Sequence, residues 1–175
     1  MGRLIEQVLY KIKQETDRKT RRHRIMNINE NMPMDEGLQG NEKIERAIAA
    51  LQQEASEELL AHTLTVIRRR LREGGQLIVA VEPSAGDGGI RAQALQTSDG
   101  KQSWLAFTSF AEEIKGSESV MSTFLAEIRA LFEAALLTEG IDGIILNPWN
   151  RTLMLDKTLI RIILGELAAE GGKEK

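Results

Sequence analysis

The chain has 175 residues, 42% of them hydrophobic and 28% charged, enough to bury one sizeable core and too apolar for a disordered chain. It holds no cysteine, which excludes disulfides, thiolate nucleophiles, iron–sulfur ligation and cysteine-based zinc sites. A net charge of −3 gives no general attraction to nucleic acid or to an anionic membrane, so any such binding must be local.

In chain order, Leu4, Ile5, Val8, Leu9 and Ile12 recur at helical spacing with Lys and Glu between them, which predicts an amphipathic helix in need of a partner surface. Charges enter this stretch from the start, unlike the uninterrupted apolar segment of a signal peptide, and no apolar run reaches the roughly 20 residues of a bilayer span. A cytoplasmic protein without integral membrane association is expected. Arg18, Lys19, Arg21, Arg22 and Arg24 follow. Such a density can neutralise phosphates or meet an acidic protein, or it is a solvated run that ends the helix; no aromatic is interleaved for base stacking. Residues 26–40, MNINENMPMDEGLQG, have no period and read as a linker. The organisation expected is therefore an arm over 1–40, a domain over 41–170 and a polar tail over 171–175.

Asn41 is a candidate cap for a helix carrying Ile44, Ala47, Ile48 and Leu51. Ser56 offers a second cap before Leu59, Leu60, Leu64, Ile67 and Leu71, with Gly74-Gly75 ending that helix. LIVAVE, after Gln76, is a branched apolar run closed by Pro83 and reads as a strand. IRAQALQT and QSWLAFTS flank Ser98-Asp99-Gly100-Lys101, where Asp-Gly suits a tight hairpin turn. A short strand is expected around Val120 and Met121, then a helix carrying Phe124, Leu125, Ile128, Leu131, Phe132, Ala135 and Leu136 up to Gly140. IDGIILNP is a further strand, stopped by Asn147-Pro148. Asp156 can cap a closing helix with Leu159, Ile160, Ile163, Leu164 and Leu167 on its buried side. These elements predict an α+β fold, a mixed sheet of about five strands with helices packed on it.

Read together, NEKIERAI, the hairpin ending in WLAFTSF and GIDGIILNPWNRTLMLDKTLI resemble the SseB N-terminal domain family over about residues 41–165. The LNP element is the most specific part. The resemblance implies this α+β fold, no established enzymatic activity and no agreed ligand; the first 40 residues lie outside it, and the second domain that some members carry has no counterpart within these residues.

Several patterns that resemble chemistry have plainer readings. Gly86-Asp87-Gly88-Gly89 lacks the Lys-Ser/Thr and the helix of a phosphate loop, and Ser98 with Lys101 sits in a turn and not at a helix start. His23 and His62 have no companion at metal-ligand spacing, and Glu112 and Glu113, adjacent on a helix, diverge and read as surface charge. Arg68, Arg69, Arg70 and Arg72 fall in the last turns of a helix, where the dipole favours cations. Thr108 and Ser109 can cap the FAEEIK helix. Trp149, after Asn147-Pro148, either anchors an interface or folds back over the sheet edge.

No catalytic, cofactor-binding or metal-ligating residue is assigned, and no cofactor is expected. The leading expectation is a non-enzymatic protein-interaction module. It uses a surface at Trp149, Asn147 and Pro148, and an arm docking through Leu4, Ile5, Val8, Leu9 and Ile12 on an unidentified protein or on a second copy. Association with nucleic acid through the basic run at 18–24 is the first alternative, and a small-ligand-binding protein or enzyme of unfamiliar type the second.

Overall fold

A computed structural model describes residues 35–86, 88–116 and 122–166. The amphipathic arm and its basic run, Val120, Met121 and Leu167 lie outside these. Two helices lead the domain, α1 (Glu42–Gln53) and α2 (Glu57–Arg72). Ser56 caps α2 as its position predicts, accepting the Leu59 amide at 3.2 Å. Strands β1 (Gln76–Pro83), β2 (Ile90–Ala92), β3 (Ala94–Gln96) and β4 (Gln102–Phe107) follow, then a one-turn helix α3 (Phe110–Glu113). The order closes with β5 (Ser122–Glu127), α4 (Ile128–Leu137), β6 (Gly143–Leu146), β7 (Leu153–Asp156) and α5 (Lys157–Leu164).

The fold is α+β, and among the described residues the mixed sheet has seven strands. Two physical effects separate this number from the five expected. The segment 90–96 is one stretch of chain broken at Gln93: β2 pairs with β1, β3 pairs with β4, and Gln93 bridges both through the Ala80 carbonyl and the Leu105 amide. It wedges between β1 and β4, which pair directly only at Ile78↔Phe107 and Val79↔Ala106. The lead-in to the last helix also forms a strand, because Leu153–Asp156 finds an antiparallel partner in β6.

Phe124 and Leu125, expected on a helix, lie in β5. Six ladder pairs with β1, from Gln76↔Glu127 to Val81↔Ser122, outweigh the helical spacing of the side chains. The hairpin turn is as read: Thr97 and Lys101 close it, and Gly100 takes φ +84°. All pairings are antiparallel except β4 with β6, registered from Ser103↔Gly143 to Ala106↔Leu146.

Helices α1, α2, α4 and α5 cover one face of the sheet. Alternation along β1 sends Leu77, Val79 and Val81 into that layer to meet Ile44, Ile48, Ile67, Phe124 and Phe132. The opposite face gathers Ile78, Ala80, Leu105, Phe107 and Ile145 around Leu38, which comes from a short 3-10 helix at Glu36–Leu38. Leu38 falls in the stretch that the sequence presents as linker, and it is buried. Among the described residues no helix is long and apolar enough to cross a membrane.

Candidate functional site

The parallel strands β4 and β6 end side by side, and ligands of open sheets with parallel strands sit beyond such carboxyl ends. Two loops meet there: Thr108-Ser109, leading into α3, and Asn147–Thr152, leading into β7. Asn147 takes φ +50°, the left-handed conformation that asparagine tolerates, so its side chain turns back across the strand ends. Its Oδ1 accepts the Thr108 amide at 2.9 Å, and its Nδ2 donates to Thr108 Oγ1 at 2.9 Å. Thr108 Oγ1 donates in turn to Glu45 Oε1 at 2.7 Å, which ties α1 to the cluster. The Asn147 of the LNP element is therefore a bracket between two strand ends, and both Asn147 and Thr108 are fully buried.

A second tier of charge surrounds this bracket. Arg151 Nη1 pairs with Glu45 Oε2 at 2.9 Å and lies 3.9 Å from Glu112 Oε1. Glu112 also receives Lys115 Nζ at 2.6 Å and the Asn150 amide at 3.3 Å. A hydroxyl beside a carboxylate is the relation of nucleophile to base. Thr108 is sealed from solvent and its oxygen is shared with Asn147, so no substrate atom reaches it. The described residues hold no group of three His, Asp or Glu placed to bind a metal ion.

The expectation of surface charge at Glu112 and Glu113 is overturned. Both are buried, Glu112 at 2% exposure and Glu113 at 8%. Glu112 offsets its burial with Lys115, Asn150 and Arg151, whereas Glu113 has no side-chain partner among the described residues. Burial pushes the Glu113 carboxyl above its ordinary pKa. The folded protein thus holds this proton to higher pH than the unfolded chain, and the stability it contributes at acid pH is lost as pH rises through the folded pKa. Glu113→Gln, which cannot titrate, is expected to gain stability relative to the wild type as pH rises above the ordinary glutamate pKa of about 4. Urea midpoints across that rise measure it; a variant whose midpoint runs parallel to the wild type would exclude a buried, titrating Glu113.

Beside this polar base, three large apolar side chains are exposed on α3, the turn after it and the 147–152 loop. Phe110 and Ile114, four residues apart, are 48% and 68% exposed, and Trp149 is 40% exposed. The indole lies against Gly116, where an added Cβ would stand 2.1 Å from the ring. Trp149 thus folds back on the backbone of the 3-10 turn Ile114–Gly116, which follows α3, and stays partly exposed.

Comparison with known families, with characterised proteins and with solved structures finds no match to this chain.

Of the residues expected at the interaction surface, Trp149 is exposed while Asn147 is interior, so Asn147 positions the surface without forming it. Ser109 caps α3 at the Glu112 amide as expected; Thr108 does not cap, since its hydroxyl is held by Glu45 and Asn147. Asn41, expected as a capping side chain, makes no cap hydrogen bond. Its Nδ2 bonds the carbonyls of Gln76 and Thr108, and its Oδ1 accepts Arg70 Nε at 3.1 Å. The arginines ending α2 are likewise held by more than the helix dipole: Arg70 is buried against Asn41, Glu73 and the Gly37 carbonyl, and Arg68 binds the carbonyls of Ile162 and Ile163 at the end of α5. Glu45 and Arg151 went unnoticed in the sequence because their contacts span 63 and 106 residues, beyond any local pattern.

Proposed function

We propose that this protein is a non-enzymatic protein-interaction module that docks a partner on the patch of Trp149, Phe110 and Ile114. The observation that carries the reading is the exposure of Trp149, Phe110 and Ile114 on the segments that flank a rigid, fully bonded polar base. Binding hot spots have this character: large apolar side chains, held in place before contact and rimmed by charge. Lys115, Asn150 and Arg151 supply the rim. The LNP element fits an SseB-like domain in which the motif shapes a surface, and the lack of cysteine suits a cytoplasmic setting.

The test is affinity capture from lysate of the native host, comparing the full chain with Trp149→Ala and with Ile114→Asp, each with nuclease-treated controls. A discrete protein partner is expected on the wild type. Trp149→Ala should weaken it by about 2 kcal/mol, roughly 30-fold; because the ring's packing on Gly116 is lost too, capture is compared at a temperature where circular dichroism shows both proteins folded. Retention indifferent to both variants would reject the patch, and recovery abolished by nuclease would favour association with nucleic acid.

A further inference from the structure

We infer a second docking site, independent of the Trp149 patch: the groove between α1 and α2 binds an acidic, amphipathic helical segment of a protein partner. Its walls follow from helical spacing. Lys43, Arg46, Ala47 and Ala50 fall at i, i+3, i+4 and i+7 on α1, and Leu59, His62, Val66 and Arg69 line α2 opposite. The small Ala47 lets the helices close, its carbonyl accepting Thr63 Oγ1 at 3.3 Å, and Ala50 leaves space above. The resulting groove holds about 380 Å³ on the outer side of the helical layer.

Charge decides what fits. Lys43, Arg46 and Arg69 are exposed, and their side chains make no hydrogen bond or ion pair with any described residue. Glu73, the acid at the end of the groove, is taken by Arg70 at 2.8 Å, and that bond holds its carboxyl below the usual range. Lys43 and Arg69 also act on Glu73 through space, so the lining, four cations to one acid, keeps a positive excess around an apolar floor of Ala47, Ala50, Leu59 and Val66, on a chain whose net charge is −3.

A peptide helix laid between two helices buries its apolar stripe on such a floor and brings its flanking carboxylates to the cations. The α2 wall from Leu59 to Glu73 is about 21 Å long, which suits a segment of three to four turns. Nucleic acid fits less well, because no Phe, Tyr or Trp lines the groove for base stacking and an apolar floor offers a sugar-phosphate chain nothing.

A peptide library of about 16 residues, displayed on phage and selected on the full chain, tests the inference. Counter-selection uses the triple variant Lys43→Glu, Arg46→Glu, Arg69→Glu, whose exposed positions leave the fold in place, as circular dichroism will check. The expected winners carry Asp or Glu beside Leu or Ile at three- and four-residue spacing. Their affinity should fall at least ~10-fold on the triple variant, weaken with salt and be unchanged by Trp149→Ala. No enrichment over the triple variant, winners without acidic residues, or winners lost with Trp149→Ala would each overturn the assignment. So would a single-stranded oligonucleotide bound as tightly and lost on the same triple variant. Because the Trp149 patch is read out separately, failure here leaves that reading standing, and the reverse.

Discussion

Gly143→Ala is expected to destabilise the fold by about 4 kcal/mol or more, with a drop in melting temperature of more than about 10 °C. An added Cβ would stand 2.1 Å from the Leu155 carbonyl oxygen and 3.1 Å from the Asp156 Cα. These are backbone atoms of β7, so no side-chain rotation relieves the overlap, and β6 cannot retreat because its other edge is paired with β4. The sheet must open on one side or the other. Gly140→Ala is the comparison: Gly140 has φ +78° but open space around its Cβ position, so only the backbone preference is lost, about 1 kcal/mol. Chemical denaturation of the two variants measures the difference. Equal midpoints would mean that β6 and β7 do not approach as described. Should Gly143→Ala be recovered only as aggregate, Gly143→Ser examined after refolding from urea should show the same loss of the cooperative transition.

Asn147→Ala is the second large effect, expected to cost roughly 3 kcal/mol. Two terms add. Removing Oδ1 leaves the Thr108 amide buried with no acceptor, at about 1–3 kcal/mol, and alanine at φ +50° adds about 1 kcal/mol of backbone strain. Asn147→Gly separates them, since it loses the hydrogen bonds and keeps the conformation; it should recover about 1 kcal/mol of the deficit. Against a typical total stability of about 5–15 kcal/mol, either loss is large. Urea midpoints with unchanged slope would show that the native state alone is affected. If both variants melt with the wild type, the bracket between the strand ends contributes nothing.

The Asn147 result also bears on the Trp149 surface. Released from Thr108, the 147–152 loop loses the geometry that sets Arg151 against Glu45 and Glu112. Partner binding on the apolar patch should then weaken even though Asn147 touches no solvent, because a patch that must be ordered on contact costs affinity.

The α+β class, the Asp-Gly hairpin, the Ser56, Ser109 and Asp156 caps and the break at Asn147-Pro148 were all legible in the residues themselves. Each is governed by neighbours within about four positions, where turn conformation and capping chemistry act. The Asp156 carboxylate, for example, accepts the Leu159 amide at 2.8 Å, as a cap three residues upstream must. What the tertiary structure alone decided is everything that joins distant residues. Phe124 and Leu125 have helical spacing but become strand because β1 lies open beside them, and ladder hydrogen bonds with burial outweigh propensity. Asn41 looks like a cap from its place in sequence, yet Arg70 and the Gln76 and Thr108 carbonyls claim its side chain, since a buried guanidinium and buried carbonyls must be satisfied before an exposed helix end. Glu112 reads as solvated until Lys115, Asn150 and Arg151 close around it, and the groove of α1 and α2 exists only once the two helices meet at Ala47 and Thr63. Local conformation is written in short-range sterics and hydrogen bonding; the surfaces proposed for docking come from long-range pairing, which depends on which strands and helices become neighbours.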